Sequence, residues 1–267
     1  MKAALALLLL IAASAFAHPG VGIVIDAKGN IFYTDLVQVW RIAPDGTKTI
    51  AVANVHTHEL CTSTNGVMLY GEHLWYNGEA LDTWGWRVWM RSPDGRVVDV
   101  VPSHRGFNDG QFSFVRDDAG NSYFAVREKN EIRKRTPDGT VSTIAHGKFR
   151  DIRWMTASPD GTVYFVDTVD LIRVTPNGRV ATIARGLSRG SSRNSVMGLW
   201  LDRDGNVYAA DYSGANVKRV DRSGAVSIVV RSTFPWAPSG GTFDRDGNLW
   251  LLEYAINFAR VRKIRLH

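Results

Sequence analysis

Read for the alternation of apolar and polar positions, the chain repeats one short sentence. Between Gly198 and Asp211 two apolar runs, Gly-Leu-Trp-Leu and Val-Tyr-Ala-Ala, flank Asp-Arg-Asp-Gly-Asn. Short apolar runs bounded by turn residues are strand signals. Asp204-Gly205 is a preferred hairpin dipeptide, since both central residues of a two-residue turn must tolerate positive φ. The sentence recurs over 23–35, 114–125, 155–167 and 241–253, and a shortened copy over 67–77 is expected to turn on Gly71-Glu72. A second refrain, mostly Pro-Asp-Gly, ends on Gly46, Gly95, Gly139, Gly178 and Gly224, spaced by 49, 44, 39 and 46 residues.

Each unit therefore reads strand, turn, strand, loop, strand, turn, strand. A four-stranded unit repeating every ~40–50 residues is the pattern of a β-propeller blade, which cannot bury both faces of its sheet alone and must stack around an axis. The pattern predicts an all-β, six-bladed β-propeller with blades at about 20–53, 66–102, 110–147, 152–186, 196–231 and 240–267. The last blade runs out of chain after its third strand, so it is expected to be three-stranded and closed by side-chain packing. Neither a Gly-His…Trp-Asp signature nor a double-glycine kelch pattern is present.

Residues 1–17 stand outside the repeat. Lys2, the apolar run Ala3 to Ala13 and the small-x-small Ala15-Phe-Ala17 form a secretory signal, cleaved after Ala17 and leaving 18–267 as a single domain. The expectation is a secreted or periplasmic protein with no membrane span after cleavage, since no later segment approaches the ~20 apolar residues required. Cys61 is the only cysteine, which rules out an intramolecular disulfide and reads as a half-buried structural thiol. The formal charge is +6 with the arginines spread over the repeats. That is a solvated outer sheet rather than a nucleic-acid surface. Weak affinity for an anionic envelope polymer fits it, and a monomer is expected.

Propeller topology sorts the loops. The stereotyped turns lie on one face, and the irregular connections, rich in His, Trp, Asn and Arg, lie on the other. Function sits on variable loops held by a rigid scaffold, so the irregular face is the candidate site. Its candidates for a small molecule or a protein partner are Arg105, Asn108, Asp109, Arg150, Arg153, Trp154, Arg193, Asn194, Tyr212, Trp236 and Tyr254, with Trp84 and Trp86 on a loop. His56, His58 and Glu59, with Asp151, are the metal candidates for zinc or calcium, set against a plain solvated loop. Asp35, Asp167, Asp211 and Glu253 end second strands at matching places, where acids cap backbone amides.

The repeat Gly-x-x-x-Asp-x-x-Gly-Asn-x-Tyr/Trp-x-x-Asp resembles NHL-repeat propellers over nearly the whole of 18–267. The segment Arg105-Gly-Phe-Asn-Asp-Gly110 is similar to the Arg-x-Asn-Asp-Gly segment of the senescence-marker-protein/gluconolactonase (regucalcin-like) group. The resemblance implies substrate contacts at Asn108 and Arg105, and a metal-assisted lactone hydrolase or lyase. It also implies a divalent metal held by three oxygen ligands at the mouths of blades one, four and five. In the repeat frame those places hold Val21, Arg153 and Met197, with Asp151 two residues and Asn194 three residues away. The leading expectation is accordingly a binding propeller, and the alternative is a hydrolase or lyase with a divergent metal site.

Overall fold

The computed structural model describes residues 19–75, 84–106, 110–190, 192–256 and 258–266. They form six antiparallel sheets, in sequence order around a ring. Blade one is β1 (Ile23–Ile25), β2 (Ile31–Thr34), β3 (Val39–Ile42) and β4 (Lys48–Val52). Blade two is β5 (Leu60–Thr62), β6 (Leu69–Trp75), β7 (Gly85–Arg91) and β8 (Val97–Arg105). Blade three is β9 (Val115–Arg116), β10 (Ser122–Val126), β11 (Glu131–Arg135) and β12 (Val141–His146). Blade four is β13 (Ile152–Ala157), β14 (Val163–Asp167), β15 (Asp170–Val174) and β16 (Val180–Ala184). Blade five is β17 (Val196–Leu201), β18 (Val207–Asp211), β19 (Asn216–Val220) and β20 (Val226–Arg231). Blade six has three strands, β21 (Ala237–Phe243), β22 (Leu249–Ala255) and β23 (Phe258–Ile264).

The hairpin turns are not the two-residue type expected from Asp-Gly. In blade five Gly205 N–H donates to the Asp202 carbonyl and Asp202 N–H to the Asn206 carbonyl, and of the turn residues only Gly205 has positive φ (77°). This is a type I turn followed by one left-handed residue, so the glycine is required and Asp204 is not strained. The motif's leading aspartate then organises the turn with its side chain. Asp117 accepts from the backbone and side chain of Asn121 and from the Tyr123 hydroxyl. Asp202 and Asp244 repeat this with Asn206 and Tyr208, and with Asn248 and Trp250. The aromatic residue lies opposite a cation on the third strand in five blades: Phe32 and Arg41, Tyr123 and Lys134, Tyr164 and Arg173, Tyr208 and Arg219, Trp250 and Lys263. Cross-strand pairs of this kind explain the recurring Arg/Lys of the third strand.

Blade two departs from the expected frame. Its inner strand is Leu60–Thr62, upstream of Gly66, and its first turn runs through Ser63 to Met68 with Gly66 at φ 66°. Gly71 and Glu72, expected in the turn, lie inside β6. A β-carbon on Gly71 would stand 2.1 Å from the Trp89 ring, so this glycine makes room for an indole rather than for a bend.

Blade six closes on blade one without a shared strand, as anticipated. Ile23, Ile31 and Tyr33 pack with Leu252 and Tyr254, and the Tyr254 hydroxyl donates to the Thr34 carbonyl at 2.8 Å. Arg245 reaches the Ala27 carbonyl at 2.8 Å. At the seam the backbones nearly touch: a β-carbon on Gly240 would lie 2.2 Å from the Val21 carbonyl oxygen. Gly240→Ala is expected to cost about 1–3 kcal/mol, because both neighbours are backbone and the overlap is relieved only by parting the blades. Urea unfolding measures it, and an unchanged midpoint would show that the seam is looser than described.

Candidate functional site

The inner strands begin on the irregular face, and two neighbouring hollows share part of their lining there. One follows the propeller axis, has a volume of about 300 Å³ and is lined by Val21, Glu59, Cys61, Arg116, Trp154 and the glycines 198 and 240. The other, of about 380 Å³, lies between blades two, three and four. Glu59, Phe114, Val115, Trp154 and Met155 border both.

The side cavity is built by identifiable local devices. In β13 the pairing to β14 slips between Ile152 and Met155, so that Arg153 and Trp154 oppose a single residue of the partner strand. Such a bulge re-aims side chains, and both residues line the cavity. Phe112 and Phe114 alternate ahead of β9, and Phe124 comes from β10. Arg127 opens a single 3-10 turn, Arg127–Lys129, and its Nε donates to the Ile152 carbonyl at 2.9 Å, which fixes it at the boundary of blades three and four. Asn194 completes the wall from the blade-five side.

The blade-two wall carries two carboxyl groups. Glu72 on β6 accepts from Trp86 Nε1 at 3.1 Å and from the His58 backbone N–H at 3.3 Å. Glu59 lies beside it, facing both hollows. Burial raises the pKa of each, the charge of Glu59 raises Glu72 further, and the Arg127 guanidinium pulls Glu59 the other way. Glu72 is buried and Glu59 half-buried, and with their charged forms disfavoured in this way the wall can offer a hydrogen-bond donor as well as an acceptor. Burial pushes the Cys61 thiol up to about 12, so it is no thiolate nucleophile at neutral pH.

The remaining candidates take other places. His56 and His58 are not on a solvated loop. Their Nε2 atoms are 2.8 Å apart, His58 is buried, and its carbonyl accepts from the Val21 and Gly22 N–H groups, tying blade two to blade one. Asp151 accepts from Arg153 at 2.6 and 2.8 Å and stands 3.7 Å from Arg193. Among the described residues, no three His, Cys, Asp or Glu side chains gather into a set that could hold a metal. Arg150 pairs with Asp170 at 2.9 Å on the rim.

Val21 lines the axial hollow, whereas Met197 is fully buried in the core. Trp86, expected on a loop, is a buried β7 residue, and Tyr254 is buried at the ring seam. Tyr212 packs partly buried against both the core shared by blades five and six and the core at the seam of blades six and one, and Trp236 lies under Arg260, 4.2 Å from ring centre to guanidinium. Arg105 ends β8 in an exposed position. Asn108 and Asp109 lie outside the described residues.

Three of the four expected amide caps are found. Asp35 takes Val37 and Gln38 N–H, Asp167 takes Arg150 and Asp151 N–H, and Asp211 takes Gly214 N–H. Glu253 instead receives Ser232 and the guanidinium groups of Arg260 and Arg262. Reasoning from the sequence missed Phe112, Phe114 and Glu72. The alternation Phe-Ser-Phe at 112–114 was the available signal, whereas a glutamate inside an apolar strand carries none.

No family model matches the chain, and no curated protein sequence matches it. Solved structures do. A streptogramin B lyase structure superposes with a TM-score of 0.62 at 14% identity, covering 92% of this chain and 93% of that one. A putative gluconolactonase gives 0.61 at 15% identity, covering 92% and 90%. A calcium-binding protein, regucalcin from Agrobacterium tumefaciens, gives 0.57 at 17% identity, covering 88% and 81%. At these identities the likeness is one of fold: the chain is a six-bladed β-propeller of the architecture seen in gluconolactonase and regucalcin structures.

Proposed function

We propose that this chain is an exported propeller that binds a small organic molecule in the cavity between blades two, three and four. The carrying observation is the cavity itself. Its about 380 Å³ falls in the range of small-molecule sites, with aromatic walls from Phe112, Phe114, Phe124 and Trp154 around a few polar groups. Arg127 and the Glu59 carboxyl present a fixed donor and a donor–acceptor to the same space. A ligand with an apolar or aromatic body and a carbonyl, amide or hydroxy-acid group matches that arrangement. Export rests on the signal pattern of 1–17.

A thermal-shift screen of such fragments against residues 18–267 tests this reading. A fragment at 100 times its Kd adds about 2.7 kcal/mol, or roughly 5–10 °C for a domain this size. Arg127→Ala is expected to weaken the hits about tenfold or more, since a hydrogen bond to a charged group contributes about 1.5–3 kcal/mol, and Trp154→Ala by a similar factor through the apolar contact it removes. Hits that bind both variants as well as the wild type would place the site elsewhere.

The paired carboxyls favour a second reading, a hydrolase or lyase working in the same cavity, and a streptogramin B lyase and a putative gluconolactonase share this fold. Metal analysis of the purified protein and hydrolysis of gluconolactone with and without chelator separate the two readings. Turnover that Glu59→Gln abolishes would favour the enzyme.

A further inference from the structure

Among the described residues, the large apolar side chains most exposed on the irregular face concentrate at the tip of blade six. Phe234 is 94% exposed, Ile256 81% and Phe258 72%. Register places them together. Ala237 pairs with Tyr254 and Ala255 with Phe258, so the loop carrying Phe234 and Trp236 enters β21 beside the turn that carries Ile256.

Neither packing nor backbone preference accounts for Ile256. Its side chain is in solvent, and its φ of 54° is a left-handed conformation that a β-branched residue adopts only at a cost. Glycine or asparagine would form the same turn without strain.

The two chain segments that carry the tips bear charge of one sign. Residues 231–239 and 254–262 contain Arg231, Arg260 and Arg262 and no acid, and neighbouring Glu253 is fully buried beneath two of those arginines. The tips line none of the hollows described above. Phe234 and Ile256 lie on turns and Phe258 opens β23. Aromatic and apolar points ringed by arginine suit the headgroup boundary of an anionic bilayer. The chain also joins the ring in this sector. Gly20 sits against Thr34, Leu36 and Tyr254.

We propose that the blade-six tip docks this protein on an anionic phospholipid surface, with Phe234, Ile256 and Phe258 entering the headgroup boundary and Arg231 and Arg260 meeting the lipid phosphates. The surface is separate from the cavity, so docking and ligand binding stand or fall independently.

Sedimentation of residues 18–267 with vesicles tests it. The protein is expected to sediment with vesicles containing phosphatidylglycerol, less with phosphatidylcholine alone, and less as salt rises. Phe234→Ser with Phe258→Ser is expected to weaken sedimentation about 100-fold at an unchanged melting temperature, and Arg231→Gln about fivefold. Failure to sediment with either vesicle, or equal sedimentation of the double variant, overturns the proposal. Indifference to phosphatidylglycerol overturns the choice of an anionic surface. A solution dimer that the double variant dissolves would assign the tips to a second copy of the chain and overturn it as well.

Discussion

Trp89→Ala will remove about 3–5 kcal/mol, the cost of deleting a fully buried indole from a core that cannot collapse around the space. Trp89 is 0% exposed and lies flat over Gly71, where no side chain interposes. Its Nε1 donates to the Glu72 carbonyl at 2.9 Å, the same oxygen that accepts from the Thr57 hydroxyl at 2.6 Å. The loss is therefore felt in three places: the apolar cluster of blades one and two, the register of β6, and the backbone that carries the Glu72 side chain to the cavity. In a domain whose total stability is about 5–15 kcal/mol, that is a large share. Urea unfolding followed by circular dichroism measures it. A loss under about 1 kcal/mol would mean that Trp89 is not the keystone of blade two, since such small values belong to surface positions.

The second large effect is acid sensitivity through the turn aspartates. Burial alone would raise the Asp117 carboxyl, but bonds from Asn121 and Tyr123 outweigh it and hold the pKa below the usual carboxylate range. Asp244 is lowered in the same manner by Asn248 and Trp250, with Lys263 adding to it. A group whose folded pKa lies below its unfolded value of about 3.9 stabilises fully above that value, and the contribution is lost as pH falls through the folded pKa. Stability is expected to be flat near neutrality and to drop below about pH 4. Asp117→Ala strands the Asn121 and Tyr123 donors and should cost about 2–4 kcal/mol at pH 7. The difference between wild type and variant should shrink as the pH is lowered. Unfolding midpoints across a pH series decide it: a difference constant down to pH 2 would show that the Asp117 charge is not the source.

Blade number and the two faces were legible because a left-handed position after a type I turn admits little but glycine, so the turns stamp a period on the sequence. Blade two escaped for the same reason in reverse. Its first turn is made with Ser63, Asn65 and Gly66 instead of Asp-x-x-Gly-Asn, while Gly71 owes its place to Trp89. Within the site, Arg153, Trp154 and Asn194 were legible as irregular residues at the mouths of blades four and five. The cavity they share was not, because it depends on a one-residue slip in β13 that pattern does not encode. Tyr254 shows the opposite error. It occupies a loop-proximal position in the repeat, yet the ring seam folds over it and its hydroxyl ends on Thr34.

A crystal structure of residues 18–267 soaked with the fragments that raise its melting temperature decides whether the space between blades two, three and four receives a small molecule. Fragment density is expected against Trp154 and Phe114, with a polar group directed at Glu59 and Arg127. Density confined to the axial hollow, the hairpin face or the blade-six tip, with this cavity holding only water, would contradict it.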